Sequence, residues 1–307
     1  MPKDTDAVLI VNTKSRRGKA WFSKAMSALQ QDGLLIRQSW ELDEPSAVVA
    51  KTREAVTQCI PLVIVGGGDG TLRSVARCFV GSDSTLSVLP LGTGNQFARD
   101  LNIPVDVSAA CRILTNGKTA DVDLGTAGND YFLTVASVGL STEIAGKLTD
   151  KEKRSFGLFS YVLALMQVLR QLHPFRATLT TSEGVHTFET LQIVIGNGRF
   201  HAGPVPLDPS ATITDGKLTA YVVATTSRSG LLRYMFALIQ GRQSDLKEVA
   251  TFVTPEILLE TSPLERVTVD GEQPFSTPLR FGIASRALRV RVPQNFGRPV
   301  AGVGGRD

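Results

Sequence analysis

Six consecutive residues, Gly66, Gly67, Gly68, Asp69, Gly70 and Thr71 (GGGDGT), restrict what this chain can fold into more than any other stretch. They follow a short apolar run, LVIV at residues 62–65, that reads as a buried strand. They precede Leu72, Val75, Ala76 and Phe79, whose 0, 3, 4, 7 spacing marks one face of a helix. Three glycines in a row carry a backbone-entropy penalty, so a tight turn alone is a weak reason for them. Glycines at a strand-to-helix turn let a ligand approach the backbone closely, and the N–H groups opening the helix suit phosphate oxygens. Asp69 is anionic and would meet phosphate only through Mg²⁺, or else hold a hydroxyl or a loop N–H. The string is not a dinucleotide fingerprint, because Thr71 stands where the last glycine of GxGxxG belongs. It is not a Walker-type loop either, because no lysine follows.

A second glycine turn, PLGTGNQFARD at residues 90–100, follows another apolar strand at residues 86–89. Thr93 and Asn95 offer short polar groups where Gly92 and Gly94 bring the backbone close. Two such turns at the carboxyl ends of neighbouring strands would form one crevice, the usual ligand position in open α/β sheets. The rest of the first part supports such a sheet. Strands are expected at residues 7–11 and 34–40. Trp21, Ala25 and Leu29 recur at helical spacing, Asp43-Glu44-Pro45 opens a helix, and residues 107–114 form another. Strand and helix alternate, which predicts an open, mostly parallel sheet covered on both faces.

After Gly125 the rhythm changes. Strands are expected at residues 131–137, 176–182, 185–195, 218–224, 251–254, 256–260, 266–269, 279–284 and 288–292, with Glu183-Gly184 as a hairpin turn. Only residues 155–172 and 229–240 read as longer helices. Many strands with short connections predict an antiparallel sandwich. The boundary falls near residues 125–129, and 307 residues match about two domains.

Composition excludes several classes. With 42% apolar and 20% charged residues, the chain is not disordered. The net charge of +4 is spread evenly, with no basic stripe, which argues against a nucleic-acid binder. Cys59, Cys78 and Cys111 lie far apart with no CxxC pair, as expected of reduced thiols in a cytoplasmic protein. The three histidines lack zinc spacing. The first residues lack the apolar stretch expected of a signal peptide, and the longest nearly apolar run, residues 158–169, falls short of the roughly 20 residues a spanning helix needs. The expectation is a soluble protein, or one that touches membranes from outside. The KEKR stretch at residues 151–154 ahead of that run reads either as the start of a membrane-contact helix or as the solvated start of a core helix. Arg16, Arg17 and Lys19 beside Gly18 read either as phosphate contacts or as a solvated loop.

Two aspartate–glycine pairs carry candidate chemistry in the second part. Residues 266–269 alternate as a strand and Gly271 breaks it, leaving Asp270 and Glu272 at an exposed turn within plausible reach of a general base's task. An ordinary hairpin with solvated acids fits the same residues. Asp215-Gly216 is either a turn or a Mg²⁺ ligand, and a cation there would need several further oxygens.

Taken in order, these segments resemble the diacylglycerol kinase-like lipid kinases, in the bacterial branch related to sphingosine and ceramide kinases. The anchors are NTKS at residues 12–15, GGGDGT, GTGNQFAR at 92–99, VDLG at 122–125, GNGR at 196–199, PSATITDGKL at 209–218 and VDGE at 269–272. The resemblance implies a nucleotide-binding α/β domain over residues 1–127, joined by the tail at about 295–307, and a β-sandwich lipid-substrate domain over 128–294. It implies an ATP- and Mg²⁺-dependent kinase of a lipid hydroxyl, such as that of diacylglycerol, docking transiently on a membrane surface. The active site is expected between the domains. Gly66 to Thr71 resemble the phosphate loop, with Asn12, Thr93, Asn95 and Ser39 (of QSWE) as further nucleotide contacts. Asp215 with the main-chain carbonyls of Thr212 and Lys217 resembles a Mg²⁺ site. Glu272 resembles the catalytic proton acceptor, beside Asp270, and Asp69 would help place the catalytic metal. Thr13, Arg16, Gln96, Arg73 and Ser74 depart from the family pattern. A kinase of a soluble acceptor, similar to NAD kinase, and a catalytically silent lipid-binding regulator stay open as alternatives. The acceptor lipid and the oligomeric state stay open as well.

Overall fold

A computed structural model describes residues 6–140, 173–202, 205–206, 211–240, 242 and 246–297. The KEKR stretch, the apolar run at 158–169 and the helix expected at 155–172 lie outside the described residues. The chain divides into two compact units, one of residues 1–121 and 289–307, the other of residues 122–288.

In the first unit, four strands lie parallel in the order β2-β1-β3-β4: β1 (Asp6–Asn12), β2 (Leu35–Leu42), β3 (Leu62–Gly67) and β4 (Thr85–Pro90). β3 and β4 are buried at every position and β1 at all but its first residue, as their unbroken apolar runs require of a sheet covered on both faces. β2 is the edge strand and is mostly exposed. The helices are α1 (Gly18–Gln31), α2 (Pro45–Thr57), α3 (Asp69–Ala76), α4 (Gln96–Asp100) and α5 (Val107–Asn116). Pro45 opens α2, where its missing N–H is harmless. The Asp106 carboxylate caps α5 by accepting from Ala109 N at 2.8 Å. The chain leaves β1 toward β2 and returns across it to β3. Right-handed crossovers therefore put α1 and α2 on opposite faces. α1 packs with α5, and α2 with α3.

The second unit is a sandwich of antiparallel sheets. One sheet runs β14-β13-β10-β7-β16-β17. Its strands are β7 (Val135–Gly139), β10 (Gln192–Gly196), β13 (Leu218–Val223), β14 (Val249–Thr254), β16 (Arg266–Val269) and β17 (Glu272–Ser276). The other contains β8 (Phe175–Thr181), β9 (Gly184–Thr190), β15 (Glu256–Ser262) and the first part of β18 (Leu279–Val292), with β5 (Lys118–Ala127) and β6 (Asp130–Phe132) as a hairpin. Two short strands, β11 (Phe200–Ala202) and β12 (Val205–Pro206), pair apart from both. One helix, α6 (Arg228–Ile239), joins β13 to β14. The core between the sheets includes Phe132, Phe175, Ile193, Val222, Val267 and Phe281, with Phe132 and Phe281 edge to face at 6.5 Å.

The structure corrects several local expectations. The single strand at 131–137 is divided between β6 and β7, which belong to different sheets, and β5 was not expected. The single strand at 185–195 is two strands, β9 and β10, that belong to different sheets. The break is held by buried Thr190, whose hydroxyl donates to Val223 O at 2.8 Å and accepts from Gln192 N at 3.1 Å. The two strands at 279–284 and 288–292 are one, β18, which carries Arg286 at a φ of +52°. The β8–β9 turn is Ser182-Glu183, and Gly184 (φ +137°) is the first residue of β9. β17 was not expected, because EQPFS has little strand character beside a proline.

Candidate functional site

In the first unit the strand order reverses direction at β1 and β3, which makes the ground outside their carboxyl ends the switch point of the sheet. Three turns converge there. Asn12, the last residue of β1, is 7% exposed. Its Nδ2 donates to Thr71 Oγ1 at 2.8 Å, and its Oδ1 accepts from Lys14 N at 3.0 Å. The β3 and β4 turns are tied by Leu91 N, which donates to Gly67 O at 2.9 Å. The β1 turn joins them through Arg17 N, which donates to Leu91 O at 3.1 Å.

The glycines are placed where neighbours leave no room. A Cβ on Gly67 would lie 2.5 Å from Thr71 Cβ, and one on Gly66 would lie 2.9 Å from the Leu91 side chain. Gly68 and Gly92 meet backbone to backbone: a Cβ on Gly68 would lie 3.1 Å from Gly92 Cα, and one on Gly92 would lie 2.5 Å from Gly68 Cα. Gly70 differs, because nothing lies within 4 Å of its missing Cβ. Asp69 opens α3 and its Oδ1 accepts from Phe97 N at 3.2 Å, which fixes the carboxylate against the second turn. Asn95, 2% exposed and left-handed at φ +49°, closes that turn on itself. Its Oδ1 accepts from Gly92 N at 2.9 Å, and its Nδ2 donates to Gly92 O at 3.1 Å. Thr93 is exposed at the tip.

The structure thus brings together Asn12, Gly66 to Thr71, Thr93 and Asn95, with Asn12 and Asn95 holding the turns. Ser39 stands apart. It lies in mid-strand opposite Leu9, three residues and roughly 10 Å before the carboxyl end of β2. Arg17 donates to Val105 O at 3.2 Å, while Arg16 and Lys19 are exposed.

In the second unit Asp270 and Gly271 form a two-residue hairpin turn with φ of +47° and +88°, both left-handed as a type I′ turn requires. The half-buried Asp270 carboxylate gathers the segment before and into β7. Its Oδ2 accepts from Leu133 N at 2.7 Å. Its Oδ1 accepts from Thr134 N at 3.0 Å, Thr134 Oγ1 at 2.7 Å and Val135 N at 3.1 Å. Asn197 of the GNGR motif holds the same segment from another side, donating to Leu133 O at 3.1 Å and Asp123 O at 3.0 Å. Glu272 begins β17 with its side chain exposed.

Asp215 sits in the exposed turn before β13. Its Oδ2 accepts from Thr212 N and its Oδ1 from Lys217 N, each at 2.9 Å. Sequence reasoning quoted VDLG but missed what Asp123 does in it. At 2% exposed, its carboxylate accepts from Gly216 N and from Arg286 N, each at 2.8 Å. A lone aspartate between apolar neighbours was the available signal, since such a group is buried only when hydrogen-bonded. Gly125 of the same motif lies under the Phe132 ring, 2.2 Å from where its Cβ would be. Among the described residues no three of His, Cys, Asp and Glu converge, so a cation at Asp215 would draw on main-chain carbonyls and water. Its donors would all be oxygens, which suits Mg²⁺. Asp69 likewise fits a site where Mg²⁺ is held by one carboxylate and substrate phosphates.

An α/β unit with glycine-rich turns at its switch point, and a second unit that is an antiparallel β-sandwich, define a two-domain kinase fold. Residues 6–127 match the diacylglycerol kinase catalytic domain, and residues 134–292 match the YegS C-terminal NAD kinase beta sandwich-like domain. A protein of Pseudomonas syringae pv. tomato named probable lipid kinase YegS-like is 31% identical over 274 residues, covering 87% of this chain and 88% of that one. One of the same name from Pseudomonas aeruginosa (strain UCBPP-PA14) is 29% identical over 294 residues, with 94% and 95% covered. The crystal structure of a diacylglycerol kinase from Bacillus anthracis str. Sterne superposes with a TM-score of 0.73 at 20% identity, over 94% of this chain and 97% of that one. At that identity the superposition speaks for the fold. The chain belongs to the diacylglycerol kinase-like family of lipid kinases.

Proposed function

We propose that this protein transfers the γ-phosphate of ATP, with Mg²⁺, to a hydroxyl of diacylglycerol or a closely related lipid. The observation that carries this reading is the meeting of the two glycine turns at the carboxyl ends of β3 and β4. Gly70 lies at the start of α3, where backbone N–H groups suit phosphate oxygens, and Thr93 is exposed at the tip of the neighbouring turn after β4. Phosphoryl transfer depends on positioning and charge stabilisation more than on covalent help. Mg²⁺, when bound, neutralises charge on the phosphate oxygens, and Asp69 is the carboxylate in the loop that would hold it. Glu272 accepts the proton of the lipid hydroxyl as that oxygen attacks phosphorus. Asp270 is a positioning residue, because four donors of residues 133–135 already occupy its oxygens. Asp215, with the carbonyls of Thr212 and Lys217, binds a second Mg²⁺ that supports the sandwich. An enzyme that consumes ATP and a membrane lipid works at the cytoplasmic membrane face.

The test is transfer of radiolabelled γ-phosphate from ATP to diacylglycerol, phosphatidylglycerol, sphingosine and ceramide in mixed micelles, with NAD as the soluble acceptor. Label in a lipid phosphate, lost on chelation of Mg²⁺ and in Asp69→Ala, is the expected result. Label in NAD alone, or none in any acceptor, overturns the proposal.

A further inference from the structure

The helix α6 carries an apolar face that the sandwich does not use. Its inner side is accounted for: Leu231 is 0% and Tyr234 3% exposed, packed with Leu140, Leu191 and Val223. Its start is fixed by Ser227, whose Oγ accepts from Gly230 N at 3.0 Å. On the outer side, Leu232 is 48% and Phe236 66% exposed, one helical turn apart in a single row. A surface helix ordinarily places polar residues there. Single exposed apolar side chains need no explanation, but a leucine and a phenylalanine stacked on a helix with no acidic residue do. Charge points the same way. Residues 225–248 hold four basic residues (Arg228, Arg233, Arg242, Lys247) against two acidic ones (Asp245, Glu248). Arg233 flanks the apolar row and pairs with Glu248, and Arg242 and Lys247 are exposed.

We infer that the outer face of α6 docks on an anionic lipid bilayer, with Leu232 and Phe236 entering the headgroup–acyl boundary and Arg233, Arg242 and Lys247 lying at the level of the lipid phosphates. A helix lying in the interface combines an apolar row with flanking cations in this way. The inference rests on the lipid-kinase reading for its purpose, since a kinase whose acceptor stays in the leaflet must work at the surface. It does not need that reading for the binding itself.

The full-length chain is sedimented, without ATP, with phosphatidylcholine vesicles that contain or lack phosphatidylglycerol. Binding to the anionic vesicles that weakens with salt is expected. Leu232→Ser/Phe236→Ser should lower vesicle affinity by about 10- to 100-fold while melting as the wild type does. The same variant should keep its turnover on a water-soluble short-chain diacylglycerol and lose it on vesicles. Phe236→Trp, read by fluorescence, should shift to the blue and be quenched by brominated lipid when vesicles are added. Wild-type vesicle affinity in the double variant, or a tryptophan that ignores vesicles, overturns the inference. So does a concentration-dependent dimer, abolished by the double variant, with vesicle binding intact. Vesicle binding through this face without phosphate transfer to any lipid would refute the kinase reading and leave the docking surface standing.

Discussion

Replacing Gly92 with alanine should separate the two turns that build the proposed phosphate site. The added Cβ would lie 2.5 Å from Gly68 Cα and 2.9 Å from Asn95 Oδ1. Neither neighbour is the loose end of a side chain. Gly68 is backbone between β3 and α3, and Asn95 is held by its own two hydrogen bonds to Gly92. Carbon atoms in ordinary contact are about 3.5–4.0 Å apart, so the turns must part by roughly 1 Å. Overpacking of this kind costs about 1–3 kcal/mol, a fall in melting temperature of roughly 3–10 °C for a unit of this size. The chain stays folded against a total stability of about 5–15 kcal/mol. Catalysis suffers more, since a misplacement of about 1 Å can lower a rate roughly 100-fold.

Gly70→Ala is the matched control. Nothing lies within 4 Å of its missing Cβ, and it is the second residue of α3. Alanine is the better helix former by about 1 kcal/mol, so the melting temperature should hold or rise. If phosphates approach the backbone there, the new methyl group occupies their place and ATP affinity falls without loss of stability. Thermal melts of the unliganded protein and calorimetric titration with ATP read the two effects separately. Wild-type melting and ATP affinity in Gly92→Ala would refute the close approach of the turns. Undiminished ATP affinity in Gly70→Ala would refute phosphate binding at the start of α3.

Other substitutions divide structural roles from chemical ones. Glu272→Gln should melt normally and lose about 10²- to 10⁴-fold in turnover. Asp270→Asn should lose about 1–3 kcal/mol of stability in denaturant titration, because one of its two acceptor oxygens becomes an NH₂ group that faces a backbone donor of residues 133–135; the reverse pattern would exchange the two roles. Chelation should lower the melting temperature of the wild type but not of Asp215→Ala, and equal falls in both would remove the metal from that turn. Burial pushes the Cys111 thiol up from 9.0 to about 11, so in the native protein it should resist a thiol reagent that modifies exposed Cys59 at once. Its raised value in the folded state favours folding below pH 9 and loses that contribution as the pH climbs toward about 11. A Cys111→Ala variant should therefore show a shallower alkaline decline in stability.

The first unit was legible because its strands are buried on both faces. Unbroken runs such as AVLIV and LVIV can satisfy such a position and little else, and glycines punctuate their ends. The sandwich was less so. Leu191 interrupts what reads as one strand at 185–195, and there, as at Pro255 between the strands expected at 251–254 and 256–260, the chain passes from one sheet to the other. That passage is decided by partners far away, such as Val223 O bonded to Thr190, and no local pattern carries it. The glycine string was legible as a turn for partly unforeseen reasons. Gly66, Gly67 and Gly68 are required by Leu91, Thr71 and Gly92 of the protein itself. Their number therefore says less about a ligand than the open space at Gly70 does.

Asp270 and Glu272 show the limit of reading chemistry from spacing. Two carboxylates on either side of a glycine look interchangeable in VDGE, and either could be drawn as a base. The type I′ turn separates them. Its left-handed first position commits the Asp270 side chain to the segment that enters β7, where four donors surround it. Both oxygens of that carboxylate are turned to donors of residues 133–135 rather than to an incoming hydroxyl. Glu272, which pairs with Val269 at the start of β17, has its side chain exposed, where an incoming hydroxyl can reach it. If the acceptor proton leaves through VDGE, it leaves through Glu272, and Asp270 contributes by keeping the β16–β17 hairpin registered against residues 133–135.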